Sequence, residues 1–137
     1  MPNPPKLRAV RSAKVPDPKP NTWSNCKVCG NQVFIAGMMA TDAAGNLPGD
    51  GSPYAQAKAA FAKVKHLIEA AGGKMDDIAR LDIHVTDIAR RQEVWRARAE
   101  FFTGDFPTST LVEVKALANP KASVEITAQG FIGAGAG

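Results

Sequence analysis

Residues 52–86 constrain the fold more than any other stretch of the chain. Ser52-Pro53 supplies an N-cap followed by proline at the first helical position. Ala57, Phe61, Val64, Ile68 and Ala71 then recur at spacings of four and three, one face of an amphipathic helix that Gly72-Gly73 ends. The period then changes. Over Arg80–Thr86, Leu81, Ile83 and Val85 alternate with Asp82 and His84, the pattern of a strand with one apolar face. A helix and a strand that are each apolar on one side bury both stripes when helices pack on one face of a sheet.

The flanking segments extend this pattern. Apolar runs at about 22–28 and 32–39 flank Gly30-Asn31 and predict a hairpin. Residues 41–51 are rich in Gly, Asp, Asn and Pro and read as a loop. Asp87 can cap a second helix over about 88–103, with Val94, Ala97 and Phe101 as its buried stripe and Gly104 as its stop. Strands are expected near 110–115 and 123–131. The order is β-hairpin, α, β, α, β, β: an α+β fold with a mixed sheet and two helices on one face. The opposite sheet face is expected to carry Asp82, His84, Glu113 and Glu125 beside Leu111. Such a mixture suits a subunit interface with polar groups available for a site.

Charge separates the front end from the rest. Residues 1–20 hold five bases against Asp17 and six of the ten prolines, and the remaining 12 bases and 12 acids balance. The net charge of +4 therefore belongs to an extended, proline-rich arm (1–20), ahead of a neutral domain (21–132) and a Gly/Ala tail (133–137) expected to fray. A neutral body argues against a nucleic-acid partner. No stretch reaches the length of a membrane span, and the arm lacks the apolar core of a secretory signal. Two cysteines make no disulfide framework, so a cytoplasmic location is expected.

Cys26 and Cys29 form a C-x-x-C pattern, but no second pair completes a zinc site, and only His66 and His84 could add nitrogen ligands. In one extended strand the two thiols would point to opposite faces about 10 Å apart, too far for a disulfide. Structural thiols are the favoured reading, with no metal. His84 could act as a general base, although a space-filling role on the sheet face is favoured. Trp23 and Trp95 could line a pocket or simply pack. Arg90, Arg91, Arg96 and Arg98 are interleaved with Glu93 and Glu100 and read as a solvated or interface surface. Glu125 is the stronger chemical candidate. Between two β-branched residues, a carboxylate is awkward unless paired, at an edge, or used; covered by an oligomer interface, its pKa would rise towards acid–base range.

Several motifs together resemble the Rid (YjgF/YER057c/UK114) family: 30–37 (GNQVFIAG), 56–72 in the first helix, 85–88 (VTDI), 100–102 (EFF), 106–114 (FPTSTLVEV) and 124–126 (VEI). The resemblance covers about residues 22–132 and implies a chorismate-mutase-like homotrimer with inward-facing sheets and three clefts between subunits. Family members of the deaminase type hydrolyse imines and enamines of small amino acids without a cofactor. By that resemblance Glu125 positions water, and the backbone of Ala36-Gly37 lines the cleft, with Thr110 and Leu111 alongside. Trp23 falls where the family has a tyrosine, and Trp95 lies near a replaced asparagine. Ser109 stands where the family has an arginine that pairs with the substrate carboxylate. A serine supplies a hydrogen bond but no charge. The resemblance therefore implies an imine or enamine hydrolase for a substrate other than a small 2-imino acid. The alternatives are a non-enzymatic small-ligand binder and, more weakly, a ribonuclease or translation inhibitor.

Overall fold

A computed structural model describes residues 3–135. Its strands are β1 (Arg8–Ala9), β2 (Cys26–Cys29), β3 (Gln32–Met38), β4 (Ile78–Val85), β5 (Thr108–Glu113) and β6 (Val124–Phe131). Helix α1 (Pro53–Ala70) precedes β4, and α2 (Arg91–Ala99) lies between β4 and β5. The strands form one sheet in the order β1-β2-β3-β6-β4-β5. Only β4 and β5 run parallel, which is why the long α2 connection separates them.

Local signals set α1. The Ser52 hydroxyl accepts from the Ala55 amide at 3.2 Å, and Pro53 occupies the first turn, where an N–H is dispensable. The buried side of α1 carries Ala57, Phe61, Val64, Leu67 and Ile68. These meet Val33 and Ile35 of β3, Leu81 and Ile83 of β4, and Ile126 of β6 in one core. The first hairpin turns at Gly30-Asn31, with Cys29 in register with Gln32. Gly30 alone of the two has positive φ (61°), as a type II′ turn requires.

The second helical region is shorter than its periodicity predicts. It opens as a 3₁₀ turn over Ile88–Arg90, capped by the Asp87 carboxylate on the Ala89 amide (3.1 Å), and α2 ends at Ala99. Phe101 and Phe102 pack beyond the helix end, with ring centroids 5.5 and 6.1 Å from Phe61.

Both ends of the chain depart from expectation. The proline-rich segment is extended, but it is docked: β1 pairs with β2, and Val10 and Val15 are buried in the core. Two apolar side chains and a free sheet edge are enough to hold a segment whose composition is otherwise that of a solvated arm. At the other end, Gly133 and Gly135 donate amides to the Asp77 carboxylate at 3.1 and 2.7 Å, so the tail is anchored through residue 135. Residues 1 and 2 of the expected arm and 136 and 137 of the expected tail lie outside the described residues. Among the described residues, no helix is long and apolar enough to cross a membrane.

Candidate functional site

The face of the sheet away from the helices carries Glu125, whose register partner is His84 of β4. Val124 and Ile126 point into the core, so alternation puts Glu125 on the outer face, where it is half-buried. Opposite lies an irregularity in β3. Ile35 is in register with Ala128 and Met38 with Ile126, so Ala36 and Gly37 together face the single residue Thr127. This bulge brings the backbone of Gly37 under the Glu125 side chain. A Cβ at position 37 would lie 2.5 Å from Cδ and 2.6 Å from Oε1 of Glu125. The Nδ1 atom of His84 is buried without a hydrogen-bond partner among the described residues.

The segment before β2 forms the next wall. Asn25, only 8% exposed, accepts the Ala36 amide on its backbone oxygen (2.9 Å) and donates from Nδ2 to the Pro16 carbonyl (2.9 Å). Its Oδ1 accepts from the Trp23 indole at 3.3 Å. Asn25 thus ties the bulge, the arm and Trp23 together, a role its sequence position gave no sign of. Trp23 itself is 62% exposed and borders a cleft of about 400 Å³, lined also by Gly37, Met38, Met39 and Lys63. A larger hollow of about 570 Å³ runs along the arm and includes Trp23, but it reaches neither Gly37 nor Glu125. Lys63 donates to the carbonyls of Met39 and Thr41, both at 2.7 Å. Burial pushes its ammonium below the ordinary lysine value, with Asp42 pulling the other way. Its bonds fix the exit of β3.

Ser109 and Leu111 lie elsewhere. Parallel pairing puts Ser109 in register with Leu81, Leu111 with Ile83 and Glu113 with Val85, all on the helix-covered face. The expectation that Leu111 and Glu113 share a face with Glu125 is therefore corrected. Leu111 packs against the core, and Glu113 accepts the Ile88 amide at 3.0 Å, capping the 3₁₀ turn. Thr110, beside Asp82, shares the outer face with His84 and Glu125. Ser109 Oγ accepts from Arg98 Nη1 at 3.0 Å, and the Arg98 guanidinium lies 5.9 Å from the Trp95 ring. Within one chain the expected site residues thus fall into two groups. Trp23, Ala36, Gly37 and Glu125 flank the bulge with Thr110 on the same outer face, whereas Ser109 and Leu111 lie on the helix-covered face, on the side of Trp95 in α2.

Cys26 and Cys29 are free thiols, and Cys26 is buried. No group of three or more His, Cys, Asp or Glu residues suited to hold a metal occurs among the described residues.

This two-helix layer on a mixed six-stranded sheet, with a glycine bulge under a glutamate, belongs to a recognisable class. The model of the family described as Endoribonuclease L-PSP matches residues 15–131, and the chain belongs to that family, which includes the YjgF/YER057c/UK114, or Rid, proteins. Among solved structures, it resembles a protein of unknown function from Pseudomonas aeruginosa at 38% identity, over 94% of each chain, with a TM-score of 0.83. It also resembles a YjgF/YER057c/UK114 family member from Mycobacterium tuberculosis at 30% identity (80% of this chain, 86% of that one; TM-score 0.72). RidA from an Antarctic Psychrobacter aligns at 26% identity, over 91% of this chain and 99% of that one, with a TM-score of 0.82.

Proposed function

We propose that this chain hydrolyses a reactive imine or enamine, in clefts formed between the subunits of a homotrimer. The observation that carries the reading is the Glu125 carboxylate resting on the Gly37 bulge, on an outer sheet face that also exposes Phe34, Val112 and Phe131. Apolar side chains on that face suit burial against a second copy, which would desolvate the site without covering the helices. The separation of Ser109 and Trp95 from Glu125 within one chain points the same way, because a cleft using both groups needs a neighbouring subunit.

In the proposed reaction a water oxygen adds to the carbon of the protonated C=N bond as Glu125 takes one of its protons. The resulting carbinolamine then breaks its C–N bond. The proton held by Glu125 passes to nitrogen, which leaves as ammonia, while the carbinolamine hydroxyl gives its own proton to the freed Glu125 carboxylate and so becomes the carbonyl oxygen; Glu125 then releases that proton to solvent. No electrons are exchanged, so the step requires neither a redox partner nor a cofactor.

Ammonia release from imines generated in the assay, spanning small and bulky side chains, tests this reading. Hydrolysis should be accelerated for at least one bulky imine, and Glu125→Ala should lose that acceleration while the carbonyl product still raises Tm. No acceleration across the panel would sink it. The neutral hydroxyl of Ser109 favours a second reading, a ligand-binding trimer without turnover, for which the same Tm shift would appear with no ammonia. An RNA-cleaving role is disfavoured by the charge balance of residues 21–137.

A further inference from the structure

The arginines of the second helical region differ in what they have to bind. Arg90 holds both Glu93 oxygens, at 2.5 and 3.0 Å. Arg91 donates to the Ile88 carbonyl at 3.2 Å, and Arg96 lies 4.2 Å over the Tyr54 ring. Glu100 is taken by Tyr54, at 2.6 Å, and by Lys58. Arg98 has no carboxylate within ion-pair distance among the described residues. Its protein hydrogen bond goes to the neutral Ser109 hydroxyl, and its Nε is buried with no partner among the described residues.

An exposed arginine without an anion is ordinary, because water satisfies it. A half-buried one with a sealed Nε is costly, since a desolvated cation seeks a counter-charge. Burial pushes the Arg98 pKa down from its ordinary value, and no neighbouring charge offsets that shift. Spacing fixes the surroundings. Residues 91, 95 and 98 lie on one side of α2, and the guanidiniums of Arg91 and Arg98 flank the Trp95 ring at 5.7 and 5.9 Å. The guanidinium is thus held by a hydroxyl on one side and an indole on the other, while a planar fork with donors to spare matches a carboxylate.

We propose that Arg98, positioned by Ser109 and Trp95, binds the carboxylate of a small organic acid. Identifying that acid as the substrate rests on the hydrolase reading above; the binding itself does not. As a substrate anchor, the site lies beyond the Ser109 hydroxyl, towards α2.

Isothermal titration calorimetry of the full chain with benzoate, and with benzamide as its uncharged counterpart, tests the proposal. Native protein should bind benzoate and not benzamide. Arg98→Met should weaken benzoate at least tenfold and Arg98→Lys less, whereas Arg90→Met, which breaks only the pair with Glu93, should leave it within twofold. If Arg98→Met does not fold, Ser109→Ala provides the reading, with an expected several-fold loss from an unpropped guanidinium. Equal binding of benzamide, or benzoate affinity unchanged in the Arg98 or Ser109 variants, overturns the proposal. Benzoate binding that depends on Arg98 in a chain that hydrolyses no imine would sink the hydrolase reading alone. Hydrolysis without such binding would sink the anchor alone.

Discussion

The Glu125 carboxylate occupies the space that a side chain on residue 37 would fill. A Cβ there would lie within 2.8 Å of Cγ, Cδ and Oε1 of Glu125, and the bulge at Ala36-Gly37 is what creates the approach. Gly37→Ala should therefore push the carboxylate away rather than distort the sheet, because the end of a glutamate side chain can move. The expected cost in stability is modest, about 1 kcal/mol, with a far larger loss of turnover. A double-mutant cycle measured by chemical denaturation checks this: in a Glu125→Ala background, the alanine at 37 should cost almost nothing. An undiminished cost would place the strain in the backbone instead.

Asp77 predicts a pH signature. It is 4% exposed and accepts amides from Lys74, Gly133 and Gly135 at 3.0, 3.1 and 2.7 Å. Burial alone would raise its carboxyl pKa; the three amides, helped by the Lys74 charge, outweigh burial and hold it below the ordinary value. A depressed folded pKa contributes stability that is present above the unfolded carboxylate pKa, about 3.9, and is lost as pH falls through the folded value. Asp77→Asn should thus cost about 1–3 kcal/mol at pH 7. The Tm gap between variant and native protein should narrow below about pH 4. A gap independent of pH would show that the charge contributes nothing.

What the sequence revealed and what it hid divide along local and non-local lines. The Ser52-Pro53 start of α1, the Gly30-Asn31 turn and the inward alternation of Leu81, Ile83 and Val85 rest on neighbours within a few residues, and all three are present. The facing of β5 is not legible in residues 108–113 (TSTLVE), which carry no clean alternation; parallel register with β4 fixes their orientation. The anchored tail was hidden for a similar reason, since Asp77 reaches Gly133 and Gly135 across 56 and 58 residues. At the candidate site, Glu125 stood out by its place between two β-branched residues and the Ala36-Gly37 pair by the family resemblance. Asn25 did not, and Arg98 could not be told apart from three nearby arginines until Ser109 was placed beside it.

The docked arm is itself testable. Val15 is 5% exposed and belongs to the core, while Lys14 beside it is exposed. Val15→Ala should lower unfolding stability by about 2 kcal/mol, through lost apolar burial and an imperfectly filled space. Lys14→Ala should stay within about 0.5 kcal/mol of native. Urea denaturation separates the two, and equal effects would mean that Val15 adds nothing to the core in solution.

The two cysteines should differ sharply in reactivity although they share one short strand. Cys26 faces the core, and burial pushes its thiol up to about 11, despite the opposing charge of Arg8. At pH 8 its thiolate fraction is then on the order of 0.1%, in a place a reagent cannot reach. Cys29 is half-buried at the strand end, with its sulfur 3.6 Å from the Pro5 carbonyl. Titration with a disulfide reagent at pH 8 should consume one thiol quickly in the folded protein and two in denaturant, and Cys29→Ser should abolish the fast phase. Rapid loss of both thiols without denaturant would mean that β2 and the arm covering it open far more readily than a packed core strand should.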